Sequence, residues 1–180
     1  MYIRTRMMGL SAVMLIFFAV AFMIPMLYPY GSFTDLGGRI AMLDTMDKVA
    51  FADLFSRLIY GVGDFLCHQD EARSFIINGS QLAFCHRDVA VFAGFAIGLL
   101  MISSRRFLVF IVEGSVENRH RQILIVATIL CSVTFIEWAI EFITSFDSPL
   151  WRVTTGVITG VGLSLIFHWL ITDRYRNVLV

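Results

Sequence analysis

The sequence predicts an all-α membrane protein with four transmembrane helices, an amphipathic interfacial helix and a short hairpin. Composition, long uncharged runs and one Asn-Gly pair between apolar segments support this fold class. Of the 180 residues, 58% are hydrophobic and 16% are charged, and the mean hydropathy is +0.78. Soluble domains are usually about 45–50% apolar and about 25% charged, so we expect this chain to lie in a lipid bilayer.

Net charge limits the partners that we expect, and the cysteine count limits the role of disulfides. Basic and acidic residues both number 14, so the net charge is zero and no nucleic-acid partner is expected. The predicted partners are the lipid bilayer, an anionic or lipid ligand, and either a second copy or another membrane protein. Three cysteines are too few for a disulfide scaffold, so their positions carry the information.

The first predicted span, 7–29, follows Arg4 and Arg6. At 1.5 Å per residue, about 23 residues cross a hydrocarbon core of about 30 Å. A signal peptide is the alternative. The run is longer than the usual apolar core of such a peptide and no small-residue cleavage site follows, so we expect a retained anchor.

Three further spans are predicted at about 89–111, 122–146 and 150–172, within a single membrane domain 1–180. Gly94 and Gly98 in the second span form a small-residue pair that allows close helix packing. Both termini then lie on one side of the membrane, and the arginines near them predict that this side is the cytoplasm. The segment 30–88 would be extracytoplasmic, although it carries several basic residues of its own.

Within that segment, apolar residues recur at helical spacing from Arg39 to about Leu66, with charged residues between them. This pattern predicts an amphipathic helix that lies on the bilayer surface or packs on the other helices. Asn78-Gly79 then predicts a hairpin, with Ile77 opposite Ser80 and Arg73 opposite Phe84. A tight helical turn is the alternative.

The predicted hairpin would bring Cys85 beside the residues that follow Cys67. Cys67, His68, Cys85 and Asp88 are therefore candidate ligands of a zinc ion, which accepts thiolate, imidazole and carboxylate groups. The spacing is not that of a standard zinc finger. A Cys67–Cys85 disulfide and two buried thiols without a metal remain open.

Two acidic residues in the third span are the other candidates. Glu137 and Glu141 lie one helical turn apart and share a helix face. Charges inside a bilayer are costly, so they usually have a partner or mark a functional pathway. Arg152, across a short link, is the expected partner of Glu137, the deeper of the two acids, in an interhelical ion pair. Proton handling or ligand binding is the alternative.

The predicted topology places these residues at the same membrane face as the cysteines. We therefore expect a pocket in which Glu137, Glu141, Arg152 and Arg87 form a catalytic set beside the metal site. A carboxylate beside a metal-bound water suits hydrolysis, and arginines suit an anionic substrate such as a lipid phosphate.

The leading function is thus a metal-binding membrane protein or metal-dependent enzyme. A thiol-redox protein that uses Cys67 and Cys85, and a small transporter subunit or assembly factor, are the alternatives. The sequence does not indicate a specific reaction.

Several short motifs occur together: Cys67-His68-Gln69, Arg73-Ser74-Phe75, Gly79 with Gln81, Cys85-His86-Arg87, and Gly94 with Gly98. In combination they resemble a family of small prokaryotic membrane proteins that is known only as a domain of unknown function. The resemblance covers about residues 55–165. In its later part, Glu137 and Glu141 look like the family's acidic residue and Gln, and Arg152 to Gly156 looks like its Arg-x-x-Thr-Gly stretch.

One departure from that family concerns the metal site. The family usually has a third cysteine where this chain has Asp88. Three cysteines and a histidine would favour zinc strongly, whereas two cysteines with Asp88 make a less specific ligand set. The resemblance implies a site but no activity.

Overall fold

The computed structural model describes residues 2–104, 116–144 and 148–178. Within these residues the chain is mostly helical, with one small antiparallel sheet. The α-helices and strands are α1 (Tyr2–Met23), α2 (Leu54–Leu66), β1 (Ser74–Ile77), β2 (Ser80–Cys85), α3 (His86–Ile102), α4 (Val116–Thr144) and α5 (Pro149–Val178). Short 3-10 helices cover Ile24–Leu27 and Glu71–Arg73.

Three segments are long and apolar enough to cross a membrane: Thr5–Leu27, Arg121–Thr144 and Pro149–Thr172. They correspond to the first, third and fourth predicted spans. The second predicted span, 89–111, runs beyond the described residues, and its described part belongs to the 17-residue α3. The four-span topology therefore stays a prediction, as does the orientation of the termini.

The chain divides into two compact units. One comprises 1–15 with 90–180, which we call the bundle unit; the other comprises 16–89, which we call the hairpin unit. The prediction of a single membrane domain concerns the relation between these units and stays a prediction.

In the bundle unit, glycines bring α3 against α5. A Cβ atom on Gly94 would lie 2.8 Å from the Cα of Val157, and one on Gly160 would lie 2.6 Å from the backbone nitrogen of Phe95. Larger side chains would displace the backbones, and Gly98 also lies against α5, so the predicted role of Gly94 and Gly98 in close helix packing is confirmed. Met7, Leu99, Ile123 and other apolar side chains form the buried core.

In the hairpin unit, the predicted amphipathic helix is shorter than expected, because α2 begins at Leu54 and not at Arg39. The side chain of Asp53 caps it by accepting hydrogen bonds from the N–H groups of Phe55 and Ser56. The preceding residues cannot continue the helix, since Ala41 has a positive φ of 63° and donates its N–H to the carbonyl of Phe65. The helical spacing in 39–53 was therefore a false signal.

The Asn-Gly hairpin is confirmed, with one correction to its register. Asn78 and Gly79 both have positive φ, and Ile77 pairs with Ser80. The pairing then shifts, so that Ser74 lies opposite Cys85. The predicted pairing of Arg73 with Phe84 is therefore wrong, because this irregularity adds residues on β2 and Arg73 belongs to a 3-10 helix.

Candidate metal centre

The first thiol is positioned by the end of α2. Cys67 follows the helix directly, and its N–H bonds to the carbonyl of Gly63 at 2.8 Å. Gly63 is itself pressed against β2, since a Cβ atom there would lie 2.9 Å from the carbonyl carbon of Ala83. The helix therefore ends in close contact with the strand that carries the second thiol.

Two buried amides fix the chain around this contact. Gln69, whose φ is 47°, donates from Nε2 to the carbonyls of Tyr60 and Ala83 at 3.3 and 2.9 Å. Gln81 accepts from the N–H of Leu36 at 3.2 Å and donates to the carbonyl of Gln69. Both glutamines are fully buried. Their amides hydrogen-bond to the backbone of α2, of β2 and of the irregular segment before α2, and a buried backbone group or amide without a partner would be costly.

A buried carboxylate completes this scaffold. Asp64 is fully buried and accepts the N–H of Thr45 at 3.0 Å, which ties the irregular segment before α2 to that helix. Gly38 lies against it, since a Cβ atom there would come within 2.8 Å of Oδ1 of Asp64. Sequence reasoning missed the roles of Asp64, Gln69 and Gln81, although the two glutamines occur in the motif pattern. A polar amide within the apolar run 80–84 was the available signal for Gln81.

The second thiol, Cys85, and the carboxylate, Asp88, lie where β2 ends and α3 begins. Cys85 ends the strand and Asp88 is in the first turn of the helix. Their three-residue separation places both side chains on one side of that turn. The thiol of Cys85 donates to Oδ2 of Asp88 at 3.0 Å.

Cys67, Cys85 and Asp88 form one cluster. The potential ligand atoms of these three residues all lie within 4.8 Å of one another. The two cysteines are not joined by a disulfide in this structure. The predicted convergence of Cys67 with Cys85 is therefore confirmed, and Asp88 joins them.

The two thiols differ in acidity. Hydrogen bonding with Cys85, burial and the negative charge of Asp88 all raise the pKa of the Cys67 thiol. The hydrogen bond from Cys67 lowers the pKa of the Cys85 thiol, although burial and Asp88 act in the opposite direction. Cys85 is therefore the thiol that loses its proton first.

His68 and Arg87 are the other two predicted site residues near the cysteines, and their surroundings differ from those of the cluster. His68 is exposed, and its Nδ1 atom lies 3.3 Å from the carbonyl oxygen of Gly38, so the cluster of three does not include it. Arg87 is half-buried in the first turn of α3, between Cys85 and Asp88 in sequence.

The hairpin packs against the last part of the first span. The ring of Phe84 lies 5.5 Å from that of Phe18, and the ring of Phe75 lies 5.8 Å from that of Phe22. At the tip, the amide of Asn78 donates to the carbonyls of Pro25 and Tyr28. Aromatic packing and the tip contacts thus anchor the strand that carries Cys85 to a segment that is long and apolar enough to span a membrane.

In the bundle unit, Arg152 forms an ion pair with Glu141. An interhelical ion pair that includes Arg152 is therefore confirmed, with Glu141 as an acidic partner, whereas the predicted pairing of Arg152 with Glu137 stays a prediction. Glu137, one turn earlier, is buried with 1% of its surface exposed, and Arg152 has 3% exposed. These residues belong to a different unit from the cysteine cluster, so their predicted catalytic role stays a prediction.

No curated protein and no solved structure matches the chain. A family model described as "Predicted membrane protein (DUF2085)" matches residues 67–166. The match begins at Cys67 and includes Cys85, Asp88, Glu141 and Arg152, and it covers more than half of the chain. The resemblance suggested by the motifs is thereby confirmed: the chain belongs to the DUF2085 family of predicted membrane proteins.

Proposed function

We propose that this membrane protein binds a divalent transition-metal ion, with zinc favoured, through Cys67, Cys85 and Asp88. The observation that carries the proposal is the convergence of two sulfur atoms and a carboxylate oxygen within 4.8 Å. Zn–S bonds of about 2.3 Å would place two tetrahedral sulfur ligands about 3.8 Å apart, so side-chain adjustment alone suffices.

The donor chemistry also fits an ion. The cluster already holds a thiol proton between Cys85 and Asp88, and a metal would replace such protons. Two thiolates and a carboxylate would bring three negative charges together in a largely buried place, and a divalent cation offsets most of that repulsion. Thiolate ligands select zinc over magnesium or calcium.

Three protein ligands leave one tetrahedral position for another ligand. His68 is the sequence-predicted fourth ligand, and water or an anionic ligand is the alternative. An open position is characteristic of catalytic zinc sites, where the ion supplies Lewis-acid chemistry. This supports the further proposal of a metal-dependent enzyme that acts on a lipid or a small anionic substrate, with Arg87, which lies between Cys85 and Asp88 in sequence, to bind the anion.

The test is the metal content of the purified protein. We expect about one zinc per chain in the wild type and loss of the metal in Cys67→Ser and Cys85→Ser. Cys131→Ser is the matched control, because Cys131 lies in α4 outside the cluster. Equal metal content in Cys85→Ser and the wild type would refute the site.

Further variants test the fourth ligand and the shared pocket. If His68→Ala retains the metal, the site has three protein ligands; if the metal is lost, His68 is the fourth. Glu137→Ala and Arg152→Ala test whether the bundle unit contributes to the site. If both leave metal content and ligand binding unchanged, the predicted shared pocket is wrong.

The adjacency of the two thiols supports a second candidate, a thiol-redox protein. Oxidation would form a Cys67–Cys85 bond and pass two electrons and two protons to a disulfide partner, which would be reduced to a dithiol. Thiol counting on the denatured, unreduced protein separates the candidates. Three reactive thiols with bound metal support the metal site, whereas one reactive thiol without metal supports the redox function.

A further inference from the structure

An apolar groove runs along α2 in the hairpin unit. It has a volume of about 420 Å³, within the range of about 300–1,000 Å³ that small-molecule sites occupy. Its lining includes Leu43, Met46, Leu58, Gly61 and Val62. Leu58 has 59% of its surface exposed and Leu43 has 60%, so the groove opens at the surface of the described chain.

The single charged residue among the groove's lining residues is Arg57. Among the residues that the structure describes, Arg57 forms no ion pair, and its Nε atom is buried without a hydrogen-bond partner. A buried guanidinium N–H without an acceptor is costly. An anionic oxygen at this end of the groove would give the half-buried guanidinium an acceptor, because guanidinium binds phosphate with charge-assisted hydrogen bonds.

The position of α2 relative to the first span suggests the source of that anion. The span ends at Leu27, and the hydroxyl of the next residue, Tyr28, bonds to the side chains of Asp53 and Ser56 at the start of α2. Arg57 follows directly. The cationic end of the groove is therefore tied to the end of a membrane-spanning segment, where the phosphate groups of a bilayer lie.

From these contacts we propose that the groove binds one glycerophospholipid molecule, with its phosphate on Arg57 and an acyl chain against Leu58, Gly61 and Val62. The exposed apolar side chains on α2 are consistent with a helix that contacts lipid. This binding site is separate from the proposed metal site and does not depend on it.

The test is native mass spectrometry of the detergent-purified protein titrated with dioleoylphosphatidylglycerol. We expect Arg57→Gln to weaken binding at least about tenfold, because it removes a charge-assisted contact. Arg39→Gln is the matched control: it removes the same charge from the same unit, but the guanidinium of Arg39 is already paired with Asp44. Equal effects of the two substitutions would overturn the proposal.

A second variant blocks the groove without changing charge. A Cβ atom on Gly61 would lie 3.2 Å from the flexible end of Met46, so Gly61→Leu is expected to fold and to fill the groove. It should reduce lipid binding while its metal content and melting temperature stay near those of the wild type. Unchanged lipid binding in a folded Gly61→Leu protein would overturn the proposal, even where Arg57→Gln fails to fold.

Two probes test whether the site needs both the phosphate and the acyl chains of one phospholipid molecule. Dioleoylglycerol has the same chains without phosphate and should bind at least about tenfold more weakly. Inorganic phosphate should not compete with the phospholipid at equal concentration. Equal binding of dioleoylglycerol, or displacement of the lipid by inorganic phosphate, would contradict a phospholipid site.

Discussion

The two units differ in how the N–H and C=O groups of their backbones are hydrogen-bonded. In the bundle unit, nearly all described backbone lies in long helices, which pair their own N–H and C=O groups. In the hairpin unit, residues 28–53 have little regular structure, and side chains from distant positions, such as Gln81 and Asp64, accept hydrogen bonds from that backbone. An apolar sequence can therefore encode either a bundle of long helices or an irregular unit, and buried amide side chains indicate the irregular unit.

The units also differ in their buried charge. The bundle unit buries Arg152 and Glu137 and half-buries Glu141 near the link between α4 and α5. The hairpin unit gathers two thiols and a carboxylate. The ion pair can hold two helices together without any further ligand. The three groups of the thiol cluster instead suit a bound ion, which is why we propose the metal-binding function for the hairpin unit.

The largest expected effect on folding stability comes from a substitution in the bundle unit. Gly160→Leu should prevent stable folding, with a loss above about 4 kcal/mol, because the new side chain would collide with the backbone of α3. Gly9→Leu is the control, since a Cβ atom at Gly9 would meet no atom within 4 Å. Size-exclusion chromatography and thermal unfolding in detergent measure both. A Gly160→Leu protein that elutes and melts like the wild type would disprove the close contact.

The next effect concerns the buried ion pair. Arg152→Met should cost about 3–5 kcal/mol, because it leaves Glu141 without its buried counter-ion. The double variant Glu141→Gln, Arg152→Met should recover part of that loss. Thermal unfolding of the two single variants and the double variant gives the coupling energy. Strictly additive losses would mean that the pair does not contribute to closing the helices.

The third effect is in the hairpin unit. Gln81→Ala should cost about 2–3 kcal/mol, because it leaves the N–H of Leu36 and the carbonyl of Gln69 buried without this partner. It should also lower metal retention, since Gln69 holds the strand before Cys85. Gln122→Ala, at an exposed position in α4, is the control. A Gln81→Ala protein as stable as this control would show that the amide network is dispensable.

The smallest effect is chemical and leaves the fold intact. In metal-free protein, iodoacetamide near neutral pH should modify Cys85 before Cys67, because the thiolate is the reactive form and the pKa of Cys85 is the lower of the two. As the pH falls, Cys67 should lose its reactivity first. Asp88→Asn should accelerate modification of Cys67, since it removes a negative charge that raises its pKa. Peptide mass mapping after short labelling times measures each rate, and preferential labelling of Cys67 would contradict the assignment.

Much of the fold could be predicted because its signals are local. Long uncharged runs identify three spans, and Asn78-Gly79 identifies the hairpin, because these depend on residues adjacent in sequence. The start of α2 could not be predicted. Apolar spacing from Arg39 onward resembled a helix, but hydrogen bonds to distant residues hold that stretch in another conformation.

The sequence by itself determined that this protein belongs in a membrane and that the chain turns at Asn78-Gly79. It also determined that thiol, imidazole and carboxylate groups able to bind a metal lie on both sides of that turn. Only the tertiary structure decided which of those groups meet. The register shift in β2 and the close approach of α2 at Gly63 bring Cys67, Cys85 and Asp88 together and leave His68 exposed. Both features result from packing between segments that are separated in sequence, and no local pattern of residues encodes them.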